Sequence, residues 1–172
     1  MKASLLTITL TLGLAAFAPI LRAELSPISV RVEQLSDDKR TRFDESQKKT
    51  LVIYLTNSSA QDQSVKLKYY YFGKDVKDHA VIVLKEGEKN ATVKAHGDET
   101  VKAAEAVAQS TEKHREGGGN IGRNHINPGG KEVNAGGQHI VGYGVQVFQS
   151  GKVTTDYFSE PSLKSYVGSG DR

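Results

Sequence analysis

The chain has 172 residues, 25% of them charged, with a formal net charge of +3 and no cysteine. The lack of cysteine excludes disulfides, thiol catalysis and a lipoprotein cysteine anchor, so an ordinary apolar core must stabilise the fold.

Residues 1–23 have the pattern of an export signal: Lys2, an apolar run from Leu5 to Ile20, and a small residue, Ala23, before an acidic start. The run spans roughly 16 residues, fewer than the ~20 of a membrane span. We expect cleavage after Ala23; a retained anchor is the alternative. The leader contains two of the 23 basic residues and none of the 20 acidic ones, so the mature chain is close to neutral. This charge balance does not favour nucleic-acid binding.

The chain between Pro27 and His96 alternates apolar and polar residues with period two, as strands with one buried face do. The segments are ISVRVEQL (28–35), KKTLVIYLTN (48–57), SVKLKYYYFG (64–73), HAVIVLKEG (79–87) and NATVKAH (90–96). Turn-forming residues predict connections at Asp37–Asp38, Asn57–Ser59, Gly73–Asp75 and Glu86–Glu88.

The segment 98–114, DETVKAAEAVAQSTEKH, fits two structures. Its alanines and glutamates favour a helix, whereas residues 105–111 alternate as an edge strand would. An edge strand here would be a docking site for strand addition by a partner.

Two further strands follow, HIVGYGVQVFQ (139–149) and KVTTDYF (152–158), joined by a two-residue turn at Ser150-Gly151. Gly142 and Gly144 alternate in the first of them, which predicts a bulge or the close approach of another backbone. Seven to eight strands without βαβ alternation predict an all-β fold, an immunoglobulin-like antiparallel β-sandwich in a single domain over 24–172. A barrel is the alternative.

The glycine-rich segment 115–137 holds eight of the 17 glycines, and Gly117, Gly119 and Gly122 satisfy G-x-G-x-x-G. That motif binds a dinucleotide only between a strand and a helix. Asn127-Pro128-Gly129 indicates a turn where the helix should begin, so we predict a long connecting loop with no nucleotide and no other cofactor.

Three strings carry a resemblance: YYYFGKDV (69–76), GYGVQVFQSGK (142–152) and PSLK (161–164). They resemble small exported immunoglobulin-like proteins of Verrucomicrobia, one of which is encoded with type IV pilus genes in a mucin-degrading gut bacterium. The resemblance implies a non-enzymatic binding or assembly module in the periplasm, at the outer membrane or secreted, accessory to type IV pili or adhesion. It implies a pilus or envelope protein, or a surface glycan, as partner, and no catalytic residues. We expect a monomer or weak oligomer.

Two groups of residues are candidates for partner binding. Alternation along Tyr69–Phe72 places Tyr70 and Phe72 on one face, where they form an exposed aromatic patch or cover a sheet edge or corner. Arg115, Arg123 and His125 lie on the glycine-rich loop.

The alternative function is a small hydrolase or metal-dependent enzyme that uses the loop histidines His114, His125 and His139. No pair of histidines has the spacing of a zinc site, and no G-x-S-x-G elbow is present, so we predict neither a metal site nor catalytic residues.

Overall fold

The structure is a computed structural model that describes residues 26–117 and 130–168. The predicted leader (1–23), Arg123 and His125 lie outside the described residues. The described strands are β1 (Ile28–Arg40), β2 (Asp44–Asn57), β3 (Gln63–Asp75), β4 (Val81–Val93), β5 (Asp98–Lys102), β6 (Ala106–Thr111), β7 (His114–Glu116), β8 (Lys131–Val133), β9 (Gly136–Gln149) and β10 (Lys152–Phe158). A 3₁₀ helix (Pro161–Tyr166) follows. No helix in these two ranges is long and apolar enough to cross a membrane.

Eight of the described strands form two antiparallel sheets packed face to face, and β7 and β8 form a separate two-stranded sheet. In the first sheet, β2 pairs with β1 on one side and with β5 and then β6 on the other. The second sheet has the order β4-β3-β9-β10. Two residue pairs between β6 and β9 join the sheets at one side, and the described strands do not close into a barrel. The prediction of an all-β sandwich is therefore confirmed.

Period-two alternation builds the core between the sheets, because every second side chain of a strand points to the same face. Leu51, Ile53 and Leu55 of β2 are completely buried, as are Leu67 of β3 and Val147 of β9. In β3 the apolar side chains that alternate with Lys66 and Lys68 are the buried ones.

The inward-facing tyrosines of β3 extend across this core. The Tyr71 hydroxyl accepts a hydrogen bond from the Leu51 amide at 3.0 Å, and the Tyr69 hydroxyl accepts one from the Ala104 amide at 3.3 Å. Both amides lie where β2 changes partner from β5 to β6, so they lack a ladder partner there. The two hydroxyls satisfy backbone donors that the sheet leaves open.

The turn predicted at Asp37–Asp38 is wrong, because β1 continues to Arg40 and the chain reverses at residues 41–43. Opposite charges across the β1–β2 pair hold this polar stretch in the ladder. The nearly buried Lys49 ammonium lies 2.5 Å from Asp38 Oδ2 and donates to Ser36 Oγ at 3.0 Å.

The turns predicted at Gly73–Asp75 and Glu86–Glu88 are also wrong, since β3 and β4 run through them. A β-carbon on Gly87 would overlap the ring of its cross-strand partner Tyr69. Gly87 therefore leaves room for the Tyr69 ring and does not mark a turn. The chain turns after Asp75, whose amide donates to the Ala80 carbonyl at 3.0 Å.

Two other sequence features agree with the structure. The segment 98–114 is extended, in β5, β6 and the start of β7, so the strand interpretation is confirmed and the helix alternative is wrong. The connections at Asn57–Ser59 and at Ser150-Gly151 are present. Ser150 and Gly151 both have positive φ, 50° and 77°, as a twisted two-residue hairpin turn requires.

Candidate binding site

The outer face of the second sheet is covered at one end. There Tyr70 and Phe72 are 5% and 0% exposed, and with the buried Leu163 of the 3₁₀ helix they form a second apolar cluster. Phe158 and Val167 pack against it. Neither alternative for Tyr70 and Phe72 is correct. They do not form an exposed patch, because the chain after β10 folds back over both rings, and they do not cover a sheet edge or corner, because they lie on the central strand β3.

Two glycines of β9 make this covering possible. A β-carbon on Gly142 would overlap the Leu163 side chain, and one on Gly144 would overlap the Phe158 ring. The alternating glycines were predicted to mark a bulge or a close approach, and both are found. The approaching groups are side chains rather than a backbone.

The other end of the same face is open and forms a groove of about 610 Å³. We call it the basic groove. Its lining residues are Ser64, Val65, Lys66 and Lys68 of β3, Asn90, Ala91 and Thr92 of β4, Phe148 of β9, and the turn residues Ser150 and Gly151. A hydrogen bond from the Tyr70 hydroxyl to Gln146 Oε1 (3.1 Å) lies at the junction with the covered end.

Sheet order places these side chains together. Lys66 pairs with Asn90 on one side and with Phe148 on the other, so a lysine, an amide and an aromatic ring form one row across three strands. Lys68 lies in the next row on the same face, and its ammonium is 5.8 Å from the Phe148 ring centroid. Of the strands beneath, β3 and β9 are paired on both sides, and β4 is an edge strand paired with β3 alone.

One carboxylate at the border of the groove organises both ammonium groups. Lys66 Nζ lies 2.5 Å from Glu88 Oε2, and Lys68 Nζ lies 3.0 Å from Glu88 Oε1. These hydrogen bonds, that of Lys66 first, lower the pKa of Glu88, and the bond to Glu88 raises the pKa of Lys68. Each ammonium has three donors and uses one on Glu88, so donors remain for a ligand.

A second depression of about 620 Å³ continues the basic groove around the β9–β10 turn. The two share Ser64 and Ser150, and the second adds Lys152 and Val153. Val153 is 47% exposed and pairs with Phe148 across the hairpin. Within residues 26–117 and 130–168, three lysines and no acidic residue line the two depressions together.

The candidate residues on the glycine-rich loop remain a prediction. Arg115 lies exposed in β7, where it pairs with Glu132 of β8. Arg123 and His125 are outside the described residues, so the structure does not test a role for the three in partner binding.

The described histidines do not gather at one site. His139 Nδ1 lies 3.1 Å from Ser110 Oγ and 3.3 Å from Glu45 Oε2. A Ser-His-acid triad needs the serine on one ring nitrogen and the carboxylate on the other, whereas here both share Nδ1. Among the described residues no group of three His, Cys, Asp or Glu side chains is placed to hold a metal.

His114 has a structural contact instead. Its ring stacks on Phe43 in the β1–β2 connection, with centroids 4.1 Å apart and planes 3° from parallel. The hydrogen bond between Nδ1 and the Glu112 carbonyl (2.8 Å) raises its pKa, with a smaller contribution from Glu116. The contact holds β7 against the turn of the β1–β2 hairpin.

Sequence reasoning missed the basic groove. The alternation of Lys66 and Lys68 with Val65 and Leu67 does show that both lysines face outward. That Asn90 and Phe148 are their neighbours depends on which strands flank β3, and no local pattern carries that information.

The chain matches no protein-family model and no curated protein. Three solved structures are similar to it. One is a β-glucuronidase from glycoside hydrolase family 2, with 16% identity, 73% of this chain and 10% of that chain covered, and a TM-score of 0.36. The second is a structural-genomics target, with 13% identity, 81% of this chain and 91% of that chain covered, and a TM-score of 0.35. The third is a protein from Akkermansia muciniphila, with 14% identity, 82% of this chain and 76% of that chain covered, and a TM-score of 0.33. The chain spans about a tenth of the β-glucuronidase, and at these TM-scores none of the three likenesses supports an argument about function.

Proposed function

We propose that the chain is an exported, non-enzymatic binding module of the cell envelope that takes its ligand in the basic groove. The more specific form of the proposal, an accessory role at type IV pili or in adhesion, rests on the sequence resemblance alone.

The observation that carries the proposal is the contrast between the two ends of one sheet face. At one end the 3₁₀ helix covers Tyr70 and Phe72. At the other, the Phe148 ring and the lysines beside it stay accessible on β9 and β3, which are each paired on both sides. A concave site with an apolar platform and a few polar groups that converge on it is the usual form of a ligand site.

The sheet edges support strand addition less well. Natural edge strands avoid pairing by being short or by carrying charges and bulges. β5, in the segment where we expected a docking edge, has five residues, three of them charged. β4 carries alternating lysines and glutamates and a register shift.

The proposal is tested with the mature chain, residues 24–172, and an envelope fraction of the source cells. Asn90→Trp fills the groove with an indole, and Thr100→Trp places the same bulk on the outer face of the first sheet, where Thr100 pairs with Tyr54. We expect the unmodified chain and Thr100→Trp to co-sediment with the fraction and Asn90→Trp to remain in the supernatant.

Equal sedimentation of both variants, or none by the unmodified chain, would contradict the proposal. Export is tested separately by intact-mass measurement of the native protein. Export with cleavage predicts a native protein that begins at Glu24. A mass that includes residues 1–23 would contradict it.

A further inference from the structure

The side chains that line the basic groove also indicate the chemical class of its ligand. We propose that its ligand is an anionic saccharide chain, a glycan that carries carboxylate or sulfate groups, and this inference rests on the function proposed above.

Charge complementarity indicates an anion. Lys66, Lys68 and Lys152 line the two adjoining depressions, and among the residues that the structure describes no acidic side chain lines either one. Glu88 lies at the border and engages one donor of each of the first two lysines. The remaining donors are fixed in direction by that carboxylate, which favours charge-assisted hydrogen bonds to a ligand oxyanion.

The neutral lining favours a saccharide. Hydroxyl and amide groups from Ser64, Asn90 and Thr92 surround the Phe148 ring. A sugar ring matches this arrangement, because it presents C–H groups on its faces and hydroxyls around its edge. The ring supplies apolar contact, and the side-chain amide and hydroxyls supply hydrogen bonds.

A peptide fits this floor less well. An extended peptide bound to a sheet gains most of its affinity from backbone hydrogen bonds to an unpaired strand. Here β3 is paired with β4 and β9, and β9 is paired with β3 and β10. β3 and β9 therefore offer side-chain groups only. β4, the third lining strand, is an edge strand, but its residues 85–89 include four charged side chains, which disfavour strand addition.

The size of the site points to several sugar units. The depressions meet at Ser64 and Ser150 and follow the surface past Val153. A chain of several units that occupies both depressions places anionic groups near Lys152 as well as near the first two lysines.

The test uses the mature chain and four defined probes in isothermal titration calorimetry. These are a chondroitin sulfate hexasaccharide, an oligogalacturonate that has carboxylates without sulfate, uncharged maltohexaose, and a hexaglutamate peptide. We expect binding of one or both anionic saccharides, weakened by added salt because exposed charges are screened. Chondroitin sulfate carries carboxylates as well as sulfates, so binding of the oligogalacturonate shows that carboxylates suffice, and binding of chondroitin sulfate alone indicates that sulfate is needed.

Matched variants locate the binding. Lys66→Gln and Lys68→Gln should each weaken it by about fivefold or more, as expected on losing one charge-assisted hydrogen bond. Phe148→Leu keeps an apolar side chain, removes the ring and should also weaken binding. Lys94→Gln is the control, since Lys94 is likewise exposed and ion-paired, to Asp62, but lies outside the groove.

Several results would overturn the inference: equal binding of maltohexaose, equal or tighter binding of hexaglutamate, no binding of either anionic saccharide, or an equal loss in Lys94→Gln. Thermal unfolding of each variant confirms that it is folded. If Asn90→Trp still abolishes envelope sedimentation while neither anionic saccharide binds, the ligand class is wrong and the binding function stands.

Discussion

At the scale of single residues, the structure depends on glycines that admit aromatic rings. Gly87 faces Tyr69 across the β3–β4 pair, and a β-carbon there would overlap the phenol ring. We expect Gly87→Ala to lower the free energy of unfolding by about 1–3 kcal/mol, the usual cost of overpacking a core. Urea denaturation followed by circular dichroism measures it.

Gly73→Ala is the matched control, because the nearest atom to a β-carbon there is Leu84 Cβ at an ordinary 3.4 Å. This change should be neutral or stabilise the protein by up to about 1 kcal/mol, since alanine restricts the unfolded chain. Equal effects of the two substitutions would refute the packing role of Gly87.

The Tyr71 hydroxyl is the second residue-scale feature. Tyr71→Phe removes the only acceptor described for the buried Leu51 amide and should cost about 1–3 kcal/mol. Tyr54→Phe is the control, because that hydroxyl donates to Glu33 at the surface, where a loss should stay within about 0.5 kcal/mol. A loss for Tyr71→Phe no larger than the control value would contradict the bridging role.

Burial raises the pKa of Tyr71 to about 12. The folded value is above the ordinary value of about 10, so the neutral phenol stabilises the fold fully below pH 10. This contribution is lost as the pH rises through about 12. In Tyr71→Phe the part of alkaline destabilisation due to this group should be absent.

At the scale of elements, the 3₁₀ helix is a cover for the second sheet. Leu163 is 3% exposed and lies on Gly142 over the Tyr70–Phe72 pair. Leu163→Ala should destabilise the protein by about 2–4 kcal/mol, as a large-to-small change in a core does, and should increase binding of a hydrophobic dye. Ser162→Ala, at an exposed position on the same helix, should do neither.

Another element-scale contact is that of β7 with the first hairpin through His114 and Phe43. The hydrogen bond with the Glu112 carbonyl raises the pKa of His114, so its protonated form is favoured in the folded state. The stabilisation is fully present below the ordinary value of about 6.5 and is lost as the pH rises through the raised pKa.

His114→Phe keeps a ring on Phe43 and removes the titration. We expect urea midpoints of the unmodified protein to fall, relative to this variant, as the pH increases above 6.5. An NMR titration of the imidazole should show a midpoint above the ordinary value. A midpoint below it would contradict the hydrogen-bonding assignment.

The elements also show how far sequence reasoning extends. Alternation in 48–57 and 64–73 predicted two strands that the structure contains, because that pattern is local. The turns predicted at Asp37–Asp38 and Glu86–Glu88 are wrong, because tertiary contacts keep both segments in strands. These contacts are the Lys49–Asp38 ion pair and the packing of the Tyr69 ring on Gly87. The burial of Tyr70 was left open because the residues that cover it lie some 90 positions later.

At the scale of the whole molecule, one part of the outer face of the second sheet is covered and another part is accessible. The linkage of β6 to β9 closes one side of the sandwich, and the 3₁₀ helix covers half of one outer face. The remaining half holds the basic groove. Strand order brings together residues of β3, β4 and β9, so the site is a product of topology rather than of any motif.

The central claim is that this half of the second sheet is the binding surface. The most direct measurement is an amide chemical-shift map of the isotopically labelled mature chain, titrated with a solubilised envelope extract. The account predicts that the largest shifts fall at Ser64–Lys68, Asn90–Thr92 and Phe148–Lys152, and that Asn90→Trp removes them. Shifts concentrated in β5 or around Arg115, or no shifts at saturating extract, would contradict it.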